Sequence, residues 1–116
     1  MIKIAIPTSK GGLEDKVHES LVRAETFTLV EVKDGKIERI EVVENPHKNE
    51  PYGAGSKVAI FLVNNGVNIL LTPMDCPKGK AILEAGGVKI IKVKQGKSVK
   101  EVIEAFQSSS SGYSLQ

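Results

Sequence analysis

The chain has one cysteine, no tryptophan, and only three phenylalanines and two tyrosines among its 116 residues. One cysteine cannot close an internal disulfide, so nothing points to an oxidising compartment. With so few aromatics, Ile, Val, Leu and Ala must build the interior. The 41% hydrophobic content suffices for one modest core. No apolar run approaches a membrane span, and the opening MIKIAIPTSK is too short and too polar for a signal peptide. A cytoplasmic protein without membrane contact is expected. An excess of one charge is also missing, since the net charge is +2. Residues 59–116 do hold seven lysines against four acids, five of those lysines between Lys89 and Lys100. No aromatic residues interleave with them to stack bases, so they fit a solvated surface and not a nucleic-acid groove.

Several catalytic patterns are absent. A phosphatase-type thiol loop needs an arginine soon after the cysteine, but the arginines are Arg23 and Arg39. Two-metal nucleases need converging carboxylates on central strands, and neither residues 2–6 nor residues 68–72 contain an acid. No Cys-x-x-Cys or His-x-x-x-His spacing supports a closed zinc site. Gly53-Ala54-Gly55-Ser56-Lys57 is only part of a phosphate-loop pattern, and it follows a loop, not a strand.

What is present reads as an α/β domain. Ile2, Ile4 and Ile6 alternate with Lys3 and Ala5 at strand period, and Pro7 is expected to close that strand. A polar connection over 8–24 has room for a short helical turn near 17–22. Residues 27–32 form a second strand, buried on both faces or bulged, because its apolar parity changes between Leu29 and Val30. Asp34-Gly35 predicts a tight hairpin into a third strand over 37–43. Later elements are a helix over 56–65, a continuously apolar strand over 68–72, a helix over 77–85, and a strand over 88–93. Ser98 and Glu101 form a capping box that starts a last helix, with Val99, Val102, Ile103 and Phe106 on one face. Residues 1–107 are read as a single domain. Residues 108–116, Ser-rich, are read as a flexible tail.

The order β-β-β-α-β-α-β-α, with right-handed crossovers, gives a mixed five-stranded sheet of order 3-2-1-4-5 flanked by helices, as in ribonuclease-H-like folds. The loops after strands one, three, four and five then leave by one edge. They carry His18, His47, Gly53-Ala54-Gly55 and Cys76. Open α/β sheets bind ligands at such an edge. Helix starts expected after Gly55 and at Pro77 would turn free N–H groups toward an anion there.

KIAIP, VHESLVRAETF, VEVKDGKI, VENPH, GAG and VKEVIEAF, in this order and spacing, resemble the nitrogenase iron–molybdenum cofactor biosynthesis domain family over roughly residues 1–107. The resemblance implies a ribonuclease-H-like fold and non-enzymatic binding or carriage of an iron–sulfur-type metallocofactor. Arg23 and Ala24 match the end of the family's His-Phe-Gly-Arg-Ala motif. Ser20, Leu21 and Val22 stand where His-Phe-Gly would be, so the motif histidine is replaced, and His18 lies two positions earlier. Asn45-Pro46-His47 and Gly53-Ala54-Gly55 match. Met74-Asp75-Cys76-Pro77 replaces the family's glycine-rich turn, so Cys76 is not a family-wide ligand.

Cys76 keeps two readings. It is a small half-buried residue in a turn, or a thiol acidified by a helix N-terminus and suited to a soft metal. In the second, His18, His47 and Cys76 would ligate a metal, with Asp75 or Glu19 as a fourth ligand. Arg23 would pair with the charge of a bound cofactor or brace its loop, and Gly53, Ala54 and Gly55 would approach the cofactor through their backbone. The expected function is non-catalytic binding or carriage of such a cofactor or its precursor, in exchange with a donor or acceptor protein. The alternative is a metal-free protein-interaction or anion-binding regulatory module. A thiol enzyme is a third class.

Overall fold

A computed structural model describes residues 1–108 of the chain. Five strands and three helices follow one another as β1 (Ile2–Thr8), β2 (Thr26–Lys33), β3 (Lys36–Glu44), α1 (Ala54–Asn64), β4 (Ile69–Thr72), α2 (Lys80–Ala85), β5 (Lys89–Lys92) and α3 (Val99–Ser108). The sheet order is β3-β2-β1-β4-β5. β1 is antiparallel to β2 and parallel to β4, and β5 is parallel to β4. This is the ribonuclease-H-like arrangement that the alternation and helix patterns imply. Apart from Ser108, which ends α3, the expected Ser-rich tail lies outside the described residues.

The isoleucine alternation in β1 sorts the core into two layers. Ile4 and Ile6 pack with Val30, Ile69 and Leu71 beneath Val99, Val102, Ile103 and Phe106 of α3. Ala5, Leu29 and Leu70 point the other way, toward Val58, Ala59 and Leu62 of α1 and Leu83 of α2. β2 is buried on both faces over 27–30, which removes the period-2 signal. It also shifts register against β3 between Glu31 and Val32. The hairpin forms as its residues require, with Asp34 at φ 52° and Gly35 at φ 78°.

The capping box closes from both sides. Ser98 N–H donates to Glu101 Oε1 (2.9 Å), and Glu101 N–H donates to Ser98 Oγ (3.1 Å).

Three local expectations are corrected. Pro7 does not end β1. Its carbonyl accepts the His18 N–H (2.8 Å) beyond the reach of β4, which pairs only with Ile4 and Ala5, so proline sits at the strand's end without costing a bond to β4. No helix forms over 17–22, and the turn there spans only 21–23. Lys16 instead bridges to Ser98, and Val17 N–H donates to Lys97 O (2.8 Å), tying the connection to the start of α3.

The third correction concerns α2, which begins at Lys80 and not at Pro77. Cys76-Pro77-Lys78-Gly79 is a β-turn closed by Gly79 N–H to Cys76 O (3.1 Å). Proline at its second position and glycine at its fourth are the residues such a turn favours. Packing requires that glycine, because a Cβ on Gly79 would stand 2.8 Å from Gly55 O, 2.9 Å from Cys76 Sγ and 3.0 Å from Ala59 Cβ.

Gly79→Ala should therefore destabilise the fold by about 1–3 kcal/mol, as overpacking does elsewhere. The lowered urea midpoint should come with an unchanged denaturant slope.

Candidate functional site

The loops after β1, β3, β4 and β5 share the carboxyl edge, as the strand directions dictate. They do not share one pocket. The connection after β1 crosses the end of the sheet, with Val17 in the α3-side core and Leu21 in the α1-side core. It divides the edge into two grooves.

The groove on the α1 side has a volume of about 440 Å³. Its walls include Val22, Arg23, Tyr52, Cys76 and Lys78, and its floor is Gly53, Ala54 and Gly55. Gly53 enters α1 in the left-handed conformation (φ 71°) without a side-chain cap. The first intrahelical bond runs from Lys57 N–H to Gly53 O (3.1 Å). The N–H groups of Ala54, Gly55 and Ser56 thus start the helix without an intrahelical acceptor. About half a positive charge gathers at such an end. The Arg23 and Lys78 cations line the same groove, as does Asp75, whose carboxylate is 3.1 Å from Lys92 Nζ.

Arg23 braces its surroundings. One terminal nitrogen donates to both Lys48 O (2.8 Å) and Glu50 O (2.9 Å), pinning the loop after β3. That nitrogen leaves the rest of the five-donor fork for other acceptors. Asn45 ties the same two loops from below. Buried at 3% exposure, its amide donates to Val22 O and Ala24 O (both 2.9 Å), and its Oδ1 accepts the His47 N–H (2.9 Å). The asparagine of Asn45-Pro46-His47 is thus the strut that shapes the groove wall.

The three expected metal ligands are not brought together. His18 lines the second groove, on the far side of the crossing, with Glu14, Asp15 and Glu19. Its Nδ1 lies 2.9 Å from the Ser20 backbone nitrogen and 3.1 Å from Ser20 O, so the ring is tied to its own loop. Burial alone would raise the Asp15 pKa, but N–H groups of Gly11, Lys16, Ser9 and Lys10 outweigh it and hold that carboxyl low. Asp15 is thus a loop anchor. His47 turns inward, edge-on to Phe61 with ring centroids 6.3 Å apart. Its Nδ1 is buried without a hydrogen bond, 3.7 Å from the Glu50 carboxylate. Glu50 is itself held by Lys57 at 2.9 Å, which keeps its pKa low. Among the described residues, no three His, Cys, Asp or Glu side chains form a group able to hold a metal ion.

Cys76 lines the groove but is only 6% exposed, wedged beside Gly55 and Gly79. With α2 starting at Lys80, Cys76 does not stand at the N-terminus of that helix. Burial raises its pKa, and the hydrogen bond from Gly79 offsets this only in part. Of its two readings, this packing supports the neutral turn residue. Tyr52 and Lys78, which sequence reading passed over, complete the groove. Lys78 stood two residues beyond the cysteine, and Tyr52 two residues before Ala54. Exposure of Tyr52 at 85% is the sign that only a structure gives.

A small α/β fold with a groove at its carboxyl edge, lined by Arg23, Lys78 and the start of α1, is thus defined. The chain belongs to the dinitrogenase iron-molybdenum cofactor family, which matches over residues 1–109. It is 28% identical over 106 residues to an uncharacterized protein of Methanocaldococcus jannaschii, covering 91% of this chain and 86% of that one. The apo form of the orange protein from Desulfovibrio gigas superposes with a TM-score of 0.84 at 28% identity, covering 93% of this chain and 88% of the other. A putative NifB protein from Thermotoga superposes with a TM-score of 0.76 at 32% identity, covering 93% and 89%. No helix of the described residues is long and apolar enough to cross a membrane.

Two outcomes follow from this geometry. Asn45→Ala strands two buried carbonyls and should cost about 3 kcal/mol in urea unfolding. The Cys76 thiol should label slowly with iodoacetamide in native protein at pH 7 and quickly in urea. Its folded pKa lies above the unfolded one, so its contribution to stability is complete below the ordinary thiol pKa and is lost as pH rises through the folded value. Wild-type stability should therefore fall relative to Cys76→Ala in the alkaline range.

Proposed function

We propose that this protein binds and carries an anionic iron–sulfur-type metallocluster or its precursor as cargo, without catalysis. The carrying observation is the convergence of the free α1 N–H groups of Ala54 and Gly55 with Arg23 and Lys78 on one groove. Family membership supports the cofactor class, and the similar fold of the orange protein from Desulfovibrio gigas, solved in its apo form, is consistent with it.

The donor set fits holding a preformed anion and does not fit ligating bare metal. Its one soft donor, Cys76, is buried and kept protonated, and His18 and His47 face elsewhere. Backbone N–H groups and cations bind through hydrogen bonds and charge, which act on sulfide or oxo edges of a cluster that brings its own ligands. Gly53 and Gly55 let the backbone approach such a body closely. Cargo would pass to and from donor or acceptor proteins. As the uptake is electrostatic, it should weaken with salt.

Anaerobic incubation with a preformed thiolate-ligated iron–sulfur cluster, followed by desalting, metal analysis and visible absorption, tests this. Wild-type protein should retain iron and visible absorption. Lys78→Glu should retain at most a fifth as much, and Cys76→Ala at least half. Colourless, iron-free wild-type protein, or retention that depends on Cys76 but not on Lys78, would remove the reading.

A further inference from the structure

β3 ends the sheet on one side, and we infer that a second copy of this chain docks there, joining two sheets by antiparallel pairing of β3 with β3 about a two-fold axis at Ile40. The inference does not rest on the cargo reading, which concerns the groove beside α1.

Backbone geometry comes first. β3 is nine residues long and pairs only with β2. Asn45 N–H donates to Glu25 O (3.0 Å), which continues the β2–β3 register one step past Glu44. Strand alternation then turns the N–H and C=O groups of Val43, Glu41 and Arg39 toward β2, and those of Val42 and Ile40 away from it. No strand among the described residues takes the outward groups. Such a row is a template for another strand.

The side chains divide between the two faces. Ile37, Ile40 and Val42 stand opposite Val32, Val30 and Thr28, which puts all three on the α3 side of the sheet. All three are exposed there. Val43 packs against the α1-side core, so Glu41 and Arg39 lie on that other side. Glu38 is the extra residue at the register shift, and it is what keeps Ile37 on the apolar side.

This pattern is complementary to itself. With two copies antiparallel and Ile40 opposite Ile40, Arg39 of each copy stands opposite Glu41 of the other. Val42 of each faces the Ile37–Glu38 bulge of the other. The α3 side gains one aliphatic patch from Ile37, Ile40 and Val42 of both copies, and the α1 side gains a square of alternating charge. Within one chain Arg39 and Glu41 are 3.8 Å apart with both side chains exposed, a contact worth little by itself. The square keeps that contact and adds two cross-strand pairs. The neighbouring register, Ile40 opposite Val42, sets Glu41 against Glu41 and is disfavoured. The edge at β5 has no such match, because its charged residues are Lys89 and Lys92 alone.

A single strand pair is a small interface, so the association is weak and concentration-dependent. Sedimentation of the full chain up to millimolar concentration should show a monomer–dimer equilibrium. Ile40→Lys, at an exposed position, sets like charges on the axis. Arg39→Glu sets acid against acid. Each should weaken the dimer at least about tenfold, since a two-fold axis counts every change twice. The double variant Arg39→Glu/Glu41→Arg restores opposite charges and should return most of the affinity. Amide exchange at Ile40 and Val42 should slow as concentration rises, while Ile90 on β5 stays unchanged. A chain that is monomeric throughout overturns the proposal and leaves the edge to a different partner. So does a dimer that survives Ile40→Lys, lacks the charge rescue, or protects Ile90 in place of Ile40 and Val42. Should a variant fail to fold, the concentration dependence and the amide pattern of wild-type protein still decide.

Discussion

The carboxyl edge depends on one buried amide. Asn45 offers two donors and one acceptor, and all are used within the loops that meet above it. Those bonds are made at 3% exposure, where water cannot substitute for a lost partner. Arg23 repeats the link from outside by returning two bonds to the loop that carries Asn45. Two connections without regular structure become one rigid wall. The groove beside α1 exists because that wall is fixed, and its position sets how far Arg23 stands from the helix start.

A second constraint acts from the opposite wall. The turn after β4 touches the first turn of α1 almost backbone to backbone, through Gly55 and Gly79. The thiol of Cys76 fills the space between them. That contact explains why a short polarizable side chain serves at this position and why α2 starts late. Three more residues of helix, begun at Pro77, would replace the turn that seats Gly79 against α1. The same contact leaves Cys76 6% exposed, and that burial raises its pKa.

Elements decided by near neighbours were legible in the residues. The hairpin at Asp34-Gly35, the Ser98–Glu101 box and the amphipathic face of α3 rest on spacings of a few residues, and all three formed. Strand order followed from chirality rules. The helix start near Pro77 was not legible, because Cys-Pro-Lys-Gly suits a turn and a helix entry equally until Gly55 is placed opposite Gly79. The meeting of His18, His47 and Cys76 failed to appear for a different reason. Strand order assigns a loop to an edge of the sheet, but a sheet has two faces. The chain crosses from one face to the other between Val17 and Leu21, which leaves His18 on the far side. His47 shares the α1 side and turns toward Phe61.

The replacement of the family's motif histidine by Ser20 fits the chemistry of the remaining groove. Ser20 Oγ accepts the Arg23 N–H (3.0 Å), so its role here is to shape the turn that presents Arg23. A groove with Ser20 in the place of the motif histidine and a buried sulfur still offers N–H groups and cations. Such groups bind a cluster by its surface and break no metal–ligand bond to let it go. Each contact is worth little in water but more in a partly enclosed groove. Their sum is tunable by salt and by competing anions. For a carrier this is an advantage, since an acceptor needs only to offer better ligands than none.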